Sequence, residues 1–254
     1  MELTFAIGLD VFADGLKRND GLLYLELENL LYAENSNCDY GLSLLRDAVA
    51  GYEQQNGIAS EDSKRQIPFF RDNRRLLIGP EVGLFALRLY GNREAIPFSR
   101  ETELLVTVDS YKLGDFCLDE NLYLLQCKYD EQRSRKQFME KIALEYGNIH
   151  FDGEHFGFIP GTQFFSMLYT ACLEICPPDW AKQEEWRLCA FRSPSDAEFV
   201  RRMGTLRSVS TVSLPFGCIV SLSCDMASSQ YSLLADLLER YGLDPYRYLE
   251  GLKE

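Results

Sequence analysis

The sequence predicts an α+β fold, a single domain over residues 1–254 with a mixed or antiparallel sheet and several packed helices. A chain of 254 residues with 46% hydrophobic and 13% aromatic residues can bury a sizeable core. Strand-like and helix-like patterns alternate irregularly, without the strand–helix–strand repeat of parallel sheets. No fixed-period repeat, low-complexity tract or long polar linker divides the chain.

The first elements in chain order are one strand and two helices. Residues 22–27 form a short apolar run that predicts a strand. Residues 39–55 predict a helix, because apolar residues three and four apart lie on one face. Residues 80–90 predict a second helix, with Pro80 in its first turn and Gly91 just beyond its end. The apolar face of that second helix would consist of Val82, Phe85, Ala86 and Leu89.

The rest of the chain predicts further strands and helices in irregular order. Residues 103–108 and 121–129, rich in Leu, Val and Tyr, predict strands. Residues 130–146 predict a helix, and residues 162–176 predict a buried helix that ends at Pro177. The remaining predicted elements are strands over residues 186–191, 205–214 and 218–222 and a last helix over residues 229–241.

The charge balance argues against bulk nucleic-acid or membrane partners. The chain has 26 Lys and Arg against 39 Asp and Glu, a formal net charge of -13, which repels phosphate backbones and anionic lipid. No apolar run reaches the roughly 18 residues of a membrane span, and residues 1–20 lack the features of a signal peptide. The eight cysteines are scattered through apolar segments, which favours reduced core thiols in a cytoplasmic protein.

The familiar catalytic and metal-binding motifs are missing. The sequence has no phosphate loop, dinucleotide-binding glycine pattern, nucleophile elbow or zinc-protease motif. Cys172 and Cys176 could supply two metal ligands, but the chain has only two histidines, so no metal site is predicted and any cofactor is unknown. The histidines, His150 and His155, lie in a loop beside carboxylates, where acid–base catalysis competes with ordinary turn hydrogen bonds.

The most distinctive segment is residues 180–187, Trp-Ala-Lys-Gln-Glu-Glu-Trp-Arg. Both tryptophans of the chain flank a carboxylate pair that is followed by Arg187. A carboxylate at a strand start beside an aromatic wall can hold a sugar hydroxyl or stabilise a cationic transition state, and pairing with Arg187 would keep Glu185 ionised. The same residues also suit a tryptophan-anchored turn with a partly buried salt bridge.

This segment resembles the W-x-x-E-x-E-W-R signature of a widespread, mainly prokaryotic domain family of unknown function. Trp180, Glu185, Trp186 and Arg187 match it, and Gln183 stands where the family usually has its first glutamate. Weaker similarity continues over residues 35–45, 84–91, 204–214, 219–222, 241–242 and 245–247. The chain departs from the family in lacking its N-terminal histidine and the serine-rich stretch before its central helix.

The resemblance implies two functions of different classes. The family's layout is similar to that of ADP-ribosyltransferases, which implies a transferase-like enzyme acting on NAD or another nucleotide. In such an enzyme Glu185 would bind the ribose and Gln183 would orient the acceptor. The residues that contact the bound nucleotide would be Tyr90, Trp186 and Arg187. The missing histidine and serines favour instead a non-enzymatic binding or interaction module, whose partner is a protein or a small nucleotide. We favour the binding module.

Overall fold

The computed structural model describes residues 1–17, 21–30, 38–66, 83–97, 103–149, 164–202, 205–224 and 229–250. It has an α+β fold in which helices pack on a nine-stranded antiparallel sheet. The strands are β1 Glu2–Gly8, β2 Leu22–Asn29, β3 Gly83–Tyr90, β4 Glu103–Asp109, β5 Tyr123–Gln126, β6 Glu185–Arg192, β7 Glu198–Arg202, β8 Thr205–Pro215 and β9 Ile219–Ser223. The α-helices are α1 Leu9–Leu16, α2 Cys38–Gln55, α3 Ser110–Asp119, α4 Glu131–Glu145, α5 Phe164–Leu173, α6 Ser229–Arg240 and α7 Pro245–Tyr248.

Strand β3 is the branch point of the sheet. Strand β6 pairs with β3 along its whole length, from Gly83 opposite Arg192 to Tyr90 opposite Glu185. The other edge of β3 is shared by two strands: β2 pairs at Phe85 and Ala86, and β1 pairs at Tyr90. From there β2 continues to β8 and β7, while β1 continues to β4 and β9. The sheet therefore forks where β1 and β2 separate.

Each face of the sheet carries its own hydrophobic core. Helices α1, α3 and α6 cover one face, with buried side chains such as Phe12, Leu113 and Leu238. Helices α2, α4 and α5 cover the other face near β3 and β6. The buried side chains that these three helices contribute include Leu44, Leu45, Val49, Phe138, Ile142, Met167 and Leu168.

The helix predicted over residues 80–90 is wrong, because residues 83–90 form strand β3. Phe85 and Leu89 pack into one core, whereas Leu84 and Ala86 pack into the other. A strand buried on both faces has a continuous apolar run, and its spacing imitates a helical face. Residues 80–82 of the prediction lie outside the described residues.

Most other predicted elements are confirmed with small shifts. The helices over residues 39–55 and 130–146 correspond to α2 and α4, and Asp130 caps α4 by accepting the Arg133 N–H at 2.9 Å. The predicted strand over residues 121–129 is shorter, with β5 ending at Gln126. Helix α3, which directly follows β4, is not among the predicted elements. Among the described helices, none combines the length and hydropathy needed to span a bilayer.

Candidate functional site

Two charged residues of the distinctive segment are enclosed at the start of β6. Glu185 and Arg187 lie two residues apart, so both side chains point to the same face of the strand, and both are fully buried. The Nε of Arg187 donates a hydrogen bond to Glu185 Oε1 at 2.8 Å. Its Nη1 donates to the carbonyl oxygen of Cys172 at 2.8 Å and its Nη2 to Cys176 Sγ at 3.3 Å. The guanidinium thus ties β6 to the end of α5.

The two oxygens of the Glu185 carboxylate differ in their surroundings. Oε1 accepts from Arg187 and lies 3.9 Å from Nε of Arg88. Oε2 is buried and has no hydrogen-bond partner among the described residues. The backbone of the same residue is fully engaged, since its N–H donates to the Tyr129 hydroxyl at 2.6 Å and its carbonyl accepts from Cys127 N–H at 2.9 Å. The backbone of Glu185 is therefore fully hydrogen-bonded, whereas one of its two carboxylate oxygens lacks a partner among the described residues.

A second buried carboxylate, that of Glu53 at the end of α2, has hydrogen-bond donors for both of its oxygens. Its oxygens accept from Ser63 Oγ at 2.7 Å, Arg65 Nε at 2.6 Å and Tyr146 Oη at 2.7 Å. The Lys64 N–H donates to it as well, at 2.7 Å. Burial alone would raise the pKa of Glu53, but these hydrogen bonds outweigh burial and lower it. Glu53 thus connects α2 with the following loop and with Tyr146, the residue that ends α4.

Cysteines surround the Glu185–Arg187 pair. Cys127 and Cys176 each have their sulfur within 4.8 Å of the other and of a Glu185 carboxylate oxygen, the one metal-compatible cluster among the described residues. Cys172 is not part of this cluster, and its carbonyl, which accepts from Arg187, also accepts from Cys38 Sγ at 3.6 Å. Contact with Cys176 and burial raise the pKa of the Cys127 thiol, so it is protonated at neutral pH. All eight cysteines lie in the described ranges, are buried and form no disulfide.

Arg187 keeps its charge inside this cluster. Burial by itself lowers the pKa of its guanidinium, but the ionised forms of the Cys127 and Cys176 thiols and the Glu185 carboxylate together raise it. A permanently charged guanidinium in a buried site has to be compensated, and Glu185 supplies the compensating charge.

The structure brings Tyr90, Glu185 and Arg187 together, places Trp186 on the opposite face of β6 and leaves Gln183 in the turn before that strand. Tyr90 lies directly opposite Glu185 in the β3–β6 register, beside Arg187. Trp186 points to the opposite face of β6, where it packs against the core formed with α1, α3 and α6. Gln183 lies in the 3₁₀ turn before β6, and its side-chain Oε1 is buried with no hydrogen-bond partner among the described residues. His150 and His155 lie outside the described residues.

A cleft of about 290 Å³ opens where β1 and β2 separate. Its floor includes Arg88 and Tyr90 of β3, and its walls come mainly from β1, β2 and the start of β4. The charged residues that line it are Glu26, Glu28, Arg88, Glu103 and Arg207. Arg207 Nη1 lies 3.5 Å from Glu28 Oε1 across two neighbouring strands. Among the described residues that line this cleft, neither Glu185 nor Arg187 is present.

Arg88 connects the cleft with the buried pair, and sequence reasoning missed it. Its side chain lines the cleft, is 26% exposed, and reaches within 3.9 Å of Glu185 Oε1. Its guanidinium also lies over the ring of Trp180, 5.6 Å from the centroid, as in a cation–π contact. The available signal was a single arginine inside an otherwise apolar segment, since such a charge in a buried strand needs a partner.

Comparisons of the chain with protein-family models, with curated proteins and with solved structures found no match. The resemblance to the W-x-x-E-x-E-W-R family therefore stays a prediction, and the functional proposal depends on the geometry of the cleft and of the buried cluster.

Proposed function

We propose that this protein is a binding or interaction module whose ligand enters the cleft between β1 and β2. The burial of Glu185 supports the proposal most directly: its side chain is fully enclosed and hydrogen-bonded to Arg187. A catalytic carboxylate has to come within hydrogen-bond reach of the reacting atoms. In this proposal the Glu185–Arg187 pair is structural, and the cleft residues do the binding.

The lining of the cleft indicates the kind of ligand. Three carboxylates and two guanidiniums line it, together with the Tyr90 ring and the small residues Ala6, Gly8 and Ala86. Charges of both signs suit a partner that carries both signs, and the small residues leave room for its atoms to approach the sheet. A mixed-charge segment of a protein partner matches this lining best, and a small nucleotide is the alternative ligand.

The proposal is tested by binding measurements on matched arginine variants. Arg207→Ala removes a cation that lines the cleft, whereas Arg201→Ala removes an exposed cation from the adjacent strand β7, outside the cleft. The native protein and both variants are screened by thermal shift against mixed-charge peptides, NAD, ADP-ribose and common nucleotides. A ligand at about 100 times its Kd stabilises the native state by about 2.7 kcal/mol.

We expect a peptide or nucleotide that raises the Tm of the native protein to raise it equally in Arg201→Ala and clearly less in Arg207→Ala. Equal shifts in both variants would place binding elsewhere on the molecule. The absence of a shift with every compound would count against a cleft that binds peptides or nucleotides.

The transferase-like enzyme is the second candidate, and one observation favours it. Arg88 touches both the cleft and Glu185, and Tyr90 lies beside them, so a movement of Arg88 would connect the carboxylate to the cleft. Release of nicotinamide from NAD, abolished in a folded Glu185→Gln variant, would support the enzyme and overturn the binding module.

A further inference from the structure

We propose that Cys127, Cys176 and Glu185 form a binding site for a divalent ion that favours sulfur ligands, such as Zn²⁺. One donor atom of each residue lies within 4.8 Å of the other two. Ligand atoms of one tetrahedral zinc ion lie about 3.5–3.8 Å apart, given Zn–S bonds of about 2.3 Å and Zn–O bonds of about 2.0–2.2 Å. The three donors therefore have to approach one another by only about 1 Å to share an ion.

The backbone already holds the three ligands in position. Cys127 N–H donates to the carbonyl of Glu185 at 2.9 Å, so the segment after β5 is fastened to the start of β6. Cys176 N–H donates to the carbonyl of Lys128 at 3.0 Å, and Lys128 N–H donates to the carbonyl of Glu174 at 2.6 Å. Ligands on segments that are joined by backbone hydrogen bonds lose little conformational freedom when an ion binds.

The unsatisfied oxygen of Glu185 is a second, independent observation. Glu185 Oε2 is buried without a hydrogen-bond partner among the described residues, although buried carboxylates normally have partners for both oxygens. Glu53 in the same protein follows the normal rule, with four donors around its two oxygens. A cation bound between the carboxylate and the two sulfurs would give Glu185 its missing partner.

The charges of such a site cancel, with Arg187 included. When the ion binds, the thiols of Cys127 and Cys176 each release a proton to solvent, and the two thiolates balance the two charges of the ion. The carboxylate of Glu185 remains balanced by the guanidinium of Arg187, as in the protein without metal. The Nη2 of Arg187, 3.3 Å from Cys176 Sγ, then donates to a ligand sulfur from outside the coordination sphere.

Cobalt titration of the purified protein tests the site directly. Co²⁺ bound to thiolates produces a strong charge-transfer absorption in the near ultraviolet, which spectroscopically silent Zn²⁺ removes by displacement. We expect this absorption to saturate at about one equivalent in metal-free protein kept reduced by a phosphine. Cys127→Ala and Cys176→Ala should each lose it, while the Glu185–Arg187 pair stays in place and keeps the fold intact, as checked by circular dichroism.

Cys218→Ala is the matched control, because Cys218 is also buried but lies outside the cluster. This variant should keep the absorption, and so should Arg207→Ala, whose binding defect would concern the cleft alone. The site is overturned if the reduced native protein shows no thiolate absorption, or if Cys127→Ala and Cys176→Ala retain it at the level of Cys218→Ala.

Discussion

Arg187 donates to Glu185 at 2.8 Å from a position two residues further along the same strand, and solvent reaches neither side chain. Because alternate residues of a strand share a face, the pair forms within β6 itself. The remaining donors of Arg187 extend to Cys172 in the last turn of α5 and to Cys176 just beyond the end of that helix. A local pair in the sequence thus connects the sheet to the helical layer that covers it.

Neutralising Glu185 should destabilise the protein. Glu185→Gln leaves the buried charge of Arg187 without its compensating anion, and we expect a loss of about 1–3 kcal/mol in the free energy of unfolding. The measurement is urea denaturation with a chelator present, so that metal binding does not contribute. Glu184→Gln, a neighbouring exposed carboxylate, is the control and should change little. Equal urea midpoints for Glu185→Gln and the native protein would contradict a structural role for the pair.

The two partners of the pair should be energetically coupled. Arg187→Met alone leaves the buried carboxylate of Glu185 without its guanidinium partner. We expect this substitution to lower the free energy of unfolding by about 3–5 kcal/mol. In the double variant Glu185→Gln/Arg187→Met no uncompensated charge remains. The free energy of unfolding that the double variant loses should therefore be smaller than the sum of the two single losses by at least about 1 kcal/mol. A double-mutant cycle by denaturation measures this coupling. Strict additivity would mean that the 2.8 Å contact carries no energy of its own.

Stability should decrease in acid because of Glu53. Its pKa is lowered in the folded protein from an ordinary value of 4.5, since Ser63, Tyr146, Arg65 and the Lys64 N–H donate to its charged form. A lowered folded-state pKa gives stability that is present above the unfolded-state pKa and is lost as the pH falls through the folded-state value. The loss therefore lies below about pH 4.5.

Unfolding measured between pH 6 and pH 3 should show this dependence in the native protein and a flatter one in Glu53→Gln. Glu61→Gln, which changes an exposed carboxylate a few residues away, should keep the native pH dependence. If Glu53→Gln and Glu61→Gln lose stability with the same slope in acid, Glu53 is not the group responsible.

Helix α2 contains two glycines whose substitution should have opposite effects. A Cβ on Gly41 would lie 1.8 Å from the carbonyl oxygen of Ala171, so Gly41→Ala forces α2 and α5 apart. A Cβ on Gly51 would meet the flexible Met139 sulfur at 3.4 Å, which is ordinary contact. We expect Gly41→Ala to cost about 1–3 kcal/mol, and Gly51→Ala to be neutral or stabilising by up to about 1 kcal/mol, because alanine favours helix.

Thermal denaturation of the two alanine variants side by side checks this prediction. Similar Tm values for both would show that α2 and α5 are not in close contact at Gly41.

Local patterns in the sequence were sufficient to predict α2, α4 and the pairing of Glu185 with Arg187. Helical spacing and strand alternation involve residues within a few positions of one another, so the sequence alone can express them. The strand character of residues 83–90 could not be predicted in this way, because it depends on two cores contributed by distant helices.

The tertiary structure alone decided what surrounds the buried pair. Cys127, Cys176 and Glu185 come from three segments that only the pairing around β6 brings together, and Arg88 reaches them from β3. The cleft likewise exists because β1 and β2 share one edge of β3 and then diverge. Pairing between distant strands depends on the free energy of the whole packed sheet, and no short stretch of sequence contains that information.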